Sequence, residues 1–313
     1  MGRLNQPQTT LRVGARGSKL ARAQAELVRQ GLFTKAALET EFVAVVTTGD
    51  RVRDRPLADI GGKGLFAKEL EEALLSGGID LAVHSMKDLP VKIPEGLRIA
   101  ATPPREAPAD AFLSHKADRI DDLPKGARLG TSSVRRAAQI ARIRPDLKIV
   151  PLRGNVDTRL ARLDAGQVDA IVLALAGLRR LGLQERATSV LDAEMWLPAL
   201  AQGALAIEMR DQDANCESVS QALDDAQTAI AVACERGFQA ALDGSCRTPI
   251  AGLAIIQNHH LRFRGEILAP DGSKSEEIGF TLKLGSNPHA EAARAGREAG
   301  LKLKERAQPW FAP

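Results

Sequence analysis

The chain has no tyrosine, only two tryptophans and only eight phenylalanines in 313 residues. Proteins that hold single-stranded nucleic acid stack its bases on aromatic rings, so this chain makes a poor platform for it in spite of a net charge of +4 and a pI near 9.1. Long apolar runs are missing as well. The longest, Ala170 to Leu178, is well short of the roughly 20 residues that span a membrane. The opening MGRLNQPQTT has no apolar h-region of a signal peptide, and Gln6 stands where a myristoylation signal takes Ser or Thr. A protein that stays in the cytoplasm, without membrane or nucleic acid as partner, is the expectation. The three cysteines, Cys216, Cys234 and Cys246, show neither C-x-x-C spacing nor a nearby histidine pair, which argues against a disulfide framework and against a metal site. Nucleotide signatures are absent too. Gly61-Gly62-Lys63-Gly64 lacks the spacing and the Ser/Thr of a P-loop, and no G-x-G-x-x-G follows a strand.

What is present is an ordinary folding composition, 44% hydrophobic and 26% charged, in a chain long enough for two or three domains. Leu11 to Ala15 and Glu41 to Thr47 read as buried strands, with Leu20, Ala23, Leu27 and Val28 at helical spacing between them. A helix over about Leu65 to Ser76, stopped by Gly77-Gly78, leads to a strand from Ile79 to His84. A Pro-rich crossover, Thr102 to Pro108, opens a second series. Its strands are Ala127–Gly130, Lys148–Leu152 and Val168–Leu175, and its helices Ser133–Ile143 and Val156–Ala165. This alternation predicts mostly parallel sheets covered on both faces, with Gly203 to Met209 returning as a strand to the first of them. Beyond Ala226 the pattern changes to a helix, strands near 249–256, 261–268 and 278–284, and a final helix Pro288–Arg306, an antiparallel α+β arrangement.

In open α/β sheets ligands sit beyond the carboxyl ends of strands. Cations recur at those ends here: Arg16-Gly17-Ser18, His84-Ser85-Met86-Lys87-Asp88, Thr131-Ser132-Ser133 followed by Arg135-Arg136, and Arg153-Gly154-Asn155, with Arg159 and Arg180 on the following helices. Guanidinium forks suit a ligand with several carboxylates, with phosphates as the rival. Either of Arg135 and Arg136 is expected to be replaceable without unfolding its domain. Asp88, just past a buried strand and beside Lys87, is placed to act as acid, base or stabiliser of a cation, or else to cap a helix or pair with Lys87. Cys246 lies in Gly244-Ser245-Cys246-Arg247-Thr248-Pro249, where Arg247 favours its thiolate, whereas Cys234 sits with Ile230 on an apolar helix face and reads as core.

Together these residues resemble the porphobilinogen deaminase family over nearly the whole chain. The resemblance is carried by IGGKGLFAKELE (60–71), DLAVHSMKDLP (80–90), LGTSSVRRAAQ (129–139), LRGNVDTRL (152–160), LALAGLRRLGL (173–183), LPALAQGALAIE (197–208) and LDGSCRTPIAG (242–252), in the family's order. It implies two α/β domains like periplasmic binding proteins around a hinged cleft, residues 8–103 with 203–221 and residues 108–198, and a C-terminal α+β domain, 226–313, with a three-stranded antiparallel sheet. It implies a transferase that condenses four porphobilinogen molecules head to tail, with loss of ammonia, on a dipyrromethane primer held as a thioether at Cys246. Hydroxymethylbilane is then released for tetrapyrrole biosynthesis and passed to uroporphyrinogen-III synthase. A monomer is implied.

By the same resemblance Asp88 is catalytic, and Lys87, Ser132, Ser133, Arg135, Arg136 and Gly154 contact the cofactor along with it. Arg16, Ser18, Lys63, Arg153, Arg159, Arg180 and Gln202 bind substrate, and Phe66 shares a covering loop with Lys63. Asp59 stands where several members have Lys, Asp157 where Gly or Gln is frequent, and Ser245 where Gly often precedes the cysteine. A solute-binding module for anions and an enzyme of nucleotide metabolism are the rivals. The first is normally exported, and the missing phosphate motifs disfavour the second.

Overall fold

The computed structural model describes residues 10–51, 64, 66–242, 248–308 and 310. In chain order the elements begin with β1 (Leu11–Arg16), α1 (Lys19–Ala36), β2 (Thr40–Val45), α2 (Thr48–Arg51), α3 (Lys68–Leu75), β3 (Leu81–Ser85) and β4 (Leu97–Ala101). There follow β5 (Asp110–Ser114), β6 (Arg128–Gly130), α4 (Val134–Ile143), β7 (Lys148–Val150), α5 (Val156–Asp164), β8 (Ala170–Ala174), α6 (Leu175–Arg180) and β9 (Ser189–Val190). The chain ends with β10 (Leu205–Arg210), α7 (Cys216–Leu223), α8 (Ala226–Ala241), β11 (Ile250–Gln257), β12 (His260–Leu268), β13 (Ser275–Lys283) and α9 (Pro288–Ala307). Among the described residues these form two compact units, one from the chain up to Pro104 together with Leu205–Ala226, the other from Arg105–Ala204 and the chain from Gln227 onward.

The first unit holds a five-stranded sheet of order β2-β1-β3-β10-β4. β1 and β3 are largely buried on both faces and so read as nearly continuous apolar runs, whereas β2, at the edge and expected to be buried, is only partly covered. Ser18 caps α1 by accepting from the Ala21 amide, and the helix buries Ala21, Ala25, Val28 and Leu32 at helical spacing against that sheet. At its other end Ala37 takes a left-handed conformation, φ 51°, and its amide donates back to Leu32 and Phe33. The expected return of the chain after residue 203 is found, since β10 lies between β3 and β4. It runs antiparallel to both, so the sheet is mixed rather than mostly parallel. An apolar run reads the same in either direction, and the strand's sense is set only by where the connection enters. The helix expected from about Leu65 is described only from Lys68, after Ala67.

The second unit repeats this plan in a sheet of order β7-β6-β8-β5-β9, with β5 antiparallel to β8 and β9. Neither β4 nor β5 is anticipated by the sequence pattern, because both flank the Pro-rich crossover and are only five residues long. The same unit carries the antiparallel sheet β11-β12-β13. Asn258 and His259, with φ of 49° and 59°, form the two-residue left-handed turn that matches strand twist in a hairpin. Helices α8 and α9 supply its core with Cys234, Phe238, Ala292, Ala299 and Leu303, and the rings of Phe238 and Phe263 meet tilted at 60° with centroids 4.9 Å apart. A side chain at Gly296 would bring its Cβ within 2.0 Å of the Cys234 carbonyl oxygen, so the close approach of α9 to α8 requires glycine there.

A buried ion pair organises the start of this unit. Arg105 donates to both oxygens of the fully buried Glu235 at 2.6 and 3.1 Å, and its Nε donates to the Gln202 carbonyl at 2.9 Å. Glu235 also accepts from the amides of Ala201 and Ala254. The carboxylate is thus fully compensated by donors from three separate segments, which a buried charge requires.

Candidate active site

In the first unit β1 and β3 are parallel neighbours, so their carboxyl ends open on the same edge. There Arg16, Ser18, Gln24, Phe66, His84, Ser85 and Asp88 line one pocket. Arg16 stands with its guanidinium carbon 4.0 Å from the Phe66 ring centroid, a stacking contact that fixes the planar donor fork. The Ser18 hydroxyl is engaged at the start of α1, where helix amide groups favour an anion. Gln24 and Ser85 hold each other at 3.0 Å across the pocket wall. Asp88 ends the short turn Met86–Asp88 that follows β3, and it is exposed while the strand before it is buried. The structure therefore brings Arg16, Ser18 and Asp88 together, as expected, and Lys87 lies beside them in the chain. Lys63, Asp59, Ser245 and Cys246 lie outside the described residues.

In the second unit the carboxyl ends of the parallel neighbours β7, β6 and β8 share an edge. Ser132 is exposed just after β6, and Ser133 caps α4 by accepting from the Arg136 amide. Arg153 and Gly154 follow β7, and Gly154, with φ of 110°, has its carbonyl held by Arg159 Nε at 2.8 Å. Asp157 sits in the first turn of α5. One guanidinium nitrogen of Arg153, Nη1, is buried and has no hydrogen-bond partner among the described residues, an unmet donor of the kind a bound carboxylate satisfies. Arg180, on α6, donates to the Gly203 carbonyl at 2.6 Å, and burial pushes its guanidinium pKa down.

Arg135 and Arg136 require a correction. Both are buried, at 4% and 5% exposure, and both converge on Asp110, at 2.8 and 2.6 Å. Asp110 also accepts from Trp196 Nε1 and from Gln202 Nε2. Burial alone would raise its pKa, but the charges of Arg135 and Arg136 overcome this and hold it far below the ordinary carboxylate range. The two arginines thus pair inside their unit, so replacing either leaves Asp110 with one charged partner fewer in the interior and is expected to cost stability. Of the guanidinium nitrogens on these two side chains, Arg135 Nε is the one buried without a hydrogen-bond partner among the described residues. Gln202, expected at the substrate, is completely buried, with its amide on Asp110 and the Pro108 carbonyl. Asp110 and Trp196 were not singled out by the sequence reading. A lone Asp at the head of an apolar strand was the available signal.

Residues 11–218 match the family model described as porphobilinogen deaminase, dipyromethane cofactor binding domain, and residues 229–305 match that of the porphobilinogen deaminase C-terminal domain. A porphobilinogen deaminase from Nitrobacter hamburgensis is 49% identical over 302 residues, 96% of this chain and 94% of the relative. One from Nitrobacter winogradskyi is 48% identical with the same coverage. Among solved structures, the methionine-binding protein MetQ is similar over 68% of this chain and 89% of its own, with a TM-score of 0.45 and 16% identity. A periplasmic substrate-binding protein from Coxiella burnetii covers 70% and 94%, with a TM-score of 0.44 and 14% identity. With both family models in sequence order along the chain and near-half identity to full-length relatives, this chain belongs to the porphobilinogen deaminase family.

Proposed function

We propose that the chain is a hydroxymethylbilane synthase, a transferase that condenses four porphobilinogen molecules, with Asp88 as its catalytic carboxylate. The observation that carries this reading is the pocket in which Asp88 shares a wall with Arg16 and Ser18. Each substrate brings two carboxylates and an aminomethyl group. When the C–N bond of the protonated aminomethyl group breaks, its electron pair leaves with ammonia and the positive charge remains on the substrate. The primer would supply the nucleophilic ring carbon that bonds to this cation and gives up its own proton. Asp88 is suited to offset that cation and to accept from pyrrole N–H groups, an electrostatic role that strengthens as water is excluded. Arg16, Arg153, Arg159, Arg180, Lys63 and Lys87, with Ser18, Ser132 and Ser133, are read as holding acetate and propionate groups. Each such charge-assisted contact is worth about 1.5–3 kcal/mol.

A dipyrromethane, when attached, supplies the nucleophilic pyrrole carbon and makes each coupling effectively intramolecular in one partner. The donors fit a group of this kind: Arg153 offers a buried N–H that is unmet among the described residues, and Arg16 stands oriented over an aromatic ring. Cys246 is read as its attachment point. Supporting this, Cys216 and Cys234 are both buried, and burial pushes the Cys234 thiol pKa far up, away from a thiolate. Cys246→Ala should therefore yield protein whose intact mass lacks two pyrrole rings, while Cys216→Ala keeps them. An adduct surviving on Cys246→Ala removes the assignment. The three separate sheets support a division into domains 8–103 with 203–221, 108–198 and 226–313. A cytoplasmic monomer that hands its product to uroporphyrinogen-III synthase rests on the resemblance alone.

A further inference from the structure

At the inner wall of the pocket that Asp88 lines and beyond it, the first unit buries titratable side chains for which the reaction above has no use. His84 of β3 and Glu208 of β10 are 6% and 0% exposed, with Nε2 and Oε2 3.0 Å apart. In the register of these strands His84 faces Ala206 and Glu208 faces Ala82, so both side chains stand on one face of the sheet as diagonal neighbours. Ala82 packs there against Leu70 and Leu74, which places α3 over that face. Glu71 belongs to the same helix. Its Oε1 and the Oε1 of Glu208 are both buried, and neither has a hydrogen-bond partner among the described residues.

Two ionised carboxylates are acceptors only, and a shared site of low dielectric does not hold both charges. One proton changes the arithmetic, because a protonated carboxyl becomes a donor and satisfies two orphaned oxygens at once. We propose that Glu71 stays protonated in the folded protein and donates to Glu208, so that Glu71, Glu208 and His84 form one hydrogen-bonded unit that positions the end of β3 and, through it, Asp88. Only the last clause rests on the catalytic reading of Asp88.

The electrostatics agree with the geometry. The Glu71 carboxyl is pushed above its ordinary range first by burial and then by the charge of Glu208, with His84 partly opposing and Glu72 of the same helix adding to it. Of the strands under α3, β10 also carries Arg210, which donates to the Leu74 and Ile79 carbonyls and pairs with Asp80 and Asp213, and β4 carries Arg98, which is exposed. A carboxyl whose pKa is raised on folding contributes stability that is complete below the ordinary glutamate range and is lost as pH rises through the folded value. The unit therefore makes the first unit sensitive to alkali, and glutamine at position 71, which donates at any pH, removes that sensitivity.

The test uses the cofactor-loaded, substrate-free enzyme carrying carboxyl-13C glutamate. Infrared spectra at neutral pH should show the carbonyl stretch of a protonated glutamic acid, fading as pH rises and missing from Glu71→Gln. The midpoint of alkaline loss in Tm should move up by about one pH unit or more in that variant. No acid band in the wild type, or a band unchanged in Glu71→Gln, overturns the proposal. The wild-type titration decides by itself if the variant does not fold. The alkaline limb of turnover should follow the band, and a limb that stays in place while band and Tm move overturns the positioning of Asp88. The infrared and Tm readouts involve no substrate, so an error in the assigned reaction leaves them untouched.

Discussion

Asp88→Asn should leave Tm nearly unchanged and reduce bilane formation by roughly 10²- to 10⁴-fold, the range for positioned acid–base and charge-stabilising groups. The side chain is exposed at the end of a short turn, so an isosteric amide there disturbs no core and belongs with surface changes of small effect. What it loses is the charge. The cation left by departing ammonia then has no counter-charge from this residue, and one of the two acceptor oxygens for pyrrole N–H groups becomes a donor. Asp88→Glu keeps the charge and displaces it by one methylene, so it should retain more activity than the amide. If Asp88 served only as a partner of Lys87, the Asn variant would instead melt lower and turn over normally in the folded fraction. Paired measurements of Tm and bilane production on both variants separate the outcomes, and turnover within a few-fold of wild type removes Asp88 from the mechanism.

Asp110→Ala should destabilise the second unit by about 3–5 kcal/mol, the cost of leaving buried charge uncompensated. Four side chains lose an acceptor in that one change: Arg135, Arg136, Trp196 and Gln202. Two guanidiniums then remain in the interior with only neutral partners, among them the Leu197 and Val172 carbonyls. Against a total stability of about 5–15 kcal/mol for a typical domain, this is a large fraction. Thermal or urea unfolding with a probe in the second unit checks it, and a loss under about 1 kcal/mol contradicts the account. The pH dependence follows from the sign of the shift. The Asp110 carboxyl is lowered on folding, so its contribution is complete above the ordinary carboxylate range and is lost as pH falls below it. Acid unfolding of Asp110→Ala should accordingly be less steep than that of the wild type.

Much of this was legible in the sequence because it is written locally. Ser18 and Ser133 sit where a hydroxyl caps a helix, Gly77-Gly78 stop one, and apolar runs mark strands, so the succession of elements and the polar residues at strand ends could be placed without coordinates. Cys234 also proved buried, as its place with Ile230 on an apolar helix face predicts. The chemistry of Asp88 and Cys246 was read from motifs, and the family match supports those motifs as a set.

Pairing across the chain is not written locally. That Arg135 and Arg136 belong to Asp110, some 25 residues earlier, depends on β5 lying antiparallel beside β8, a direction that an apolar run does not encode. His84 and Glu208 are 124 residues apart and meet only because β10 returns between β3 and β4. The sequence by itself determined the elements, their order and the residue types at the strand ends, since these follow from short-range periodicity and capping. Which charges are spent inside the fold and which remain for a ligand was decided by the tertiary structure alone, because desolvation makes a buried charge find its partner wherever the topology brings one.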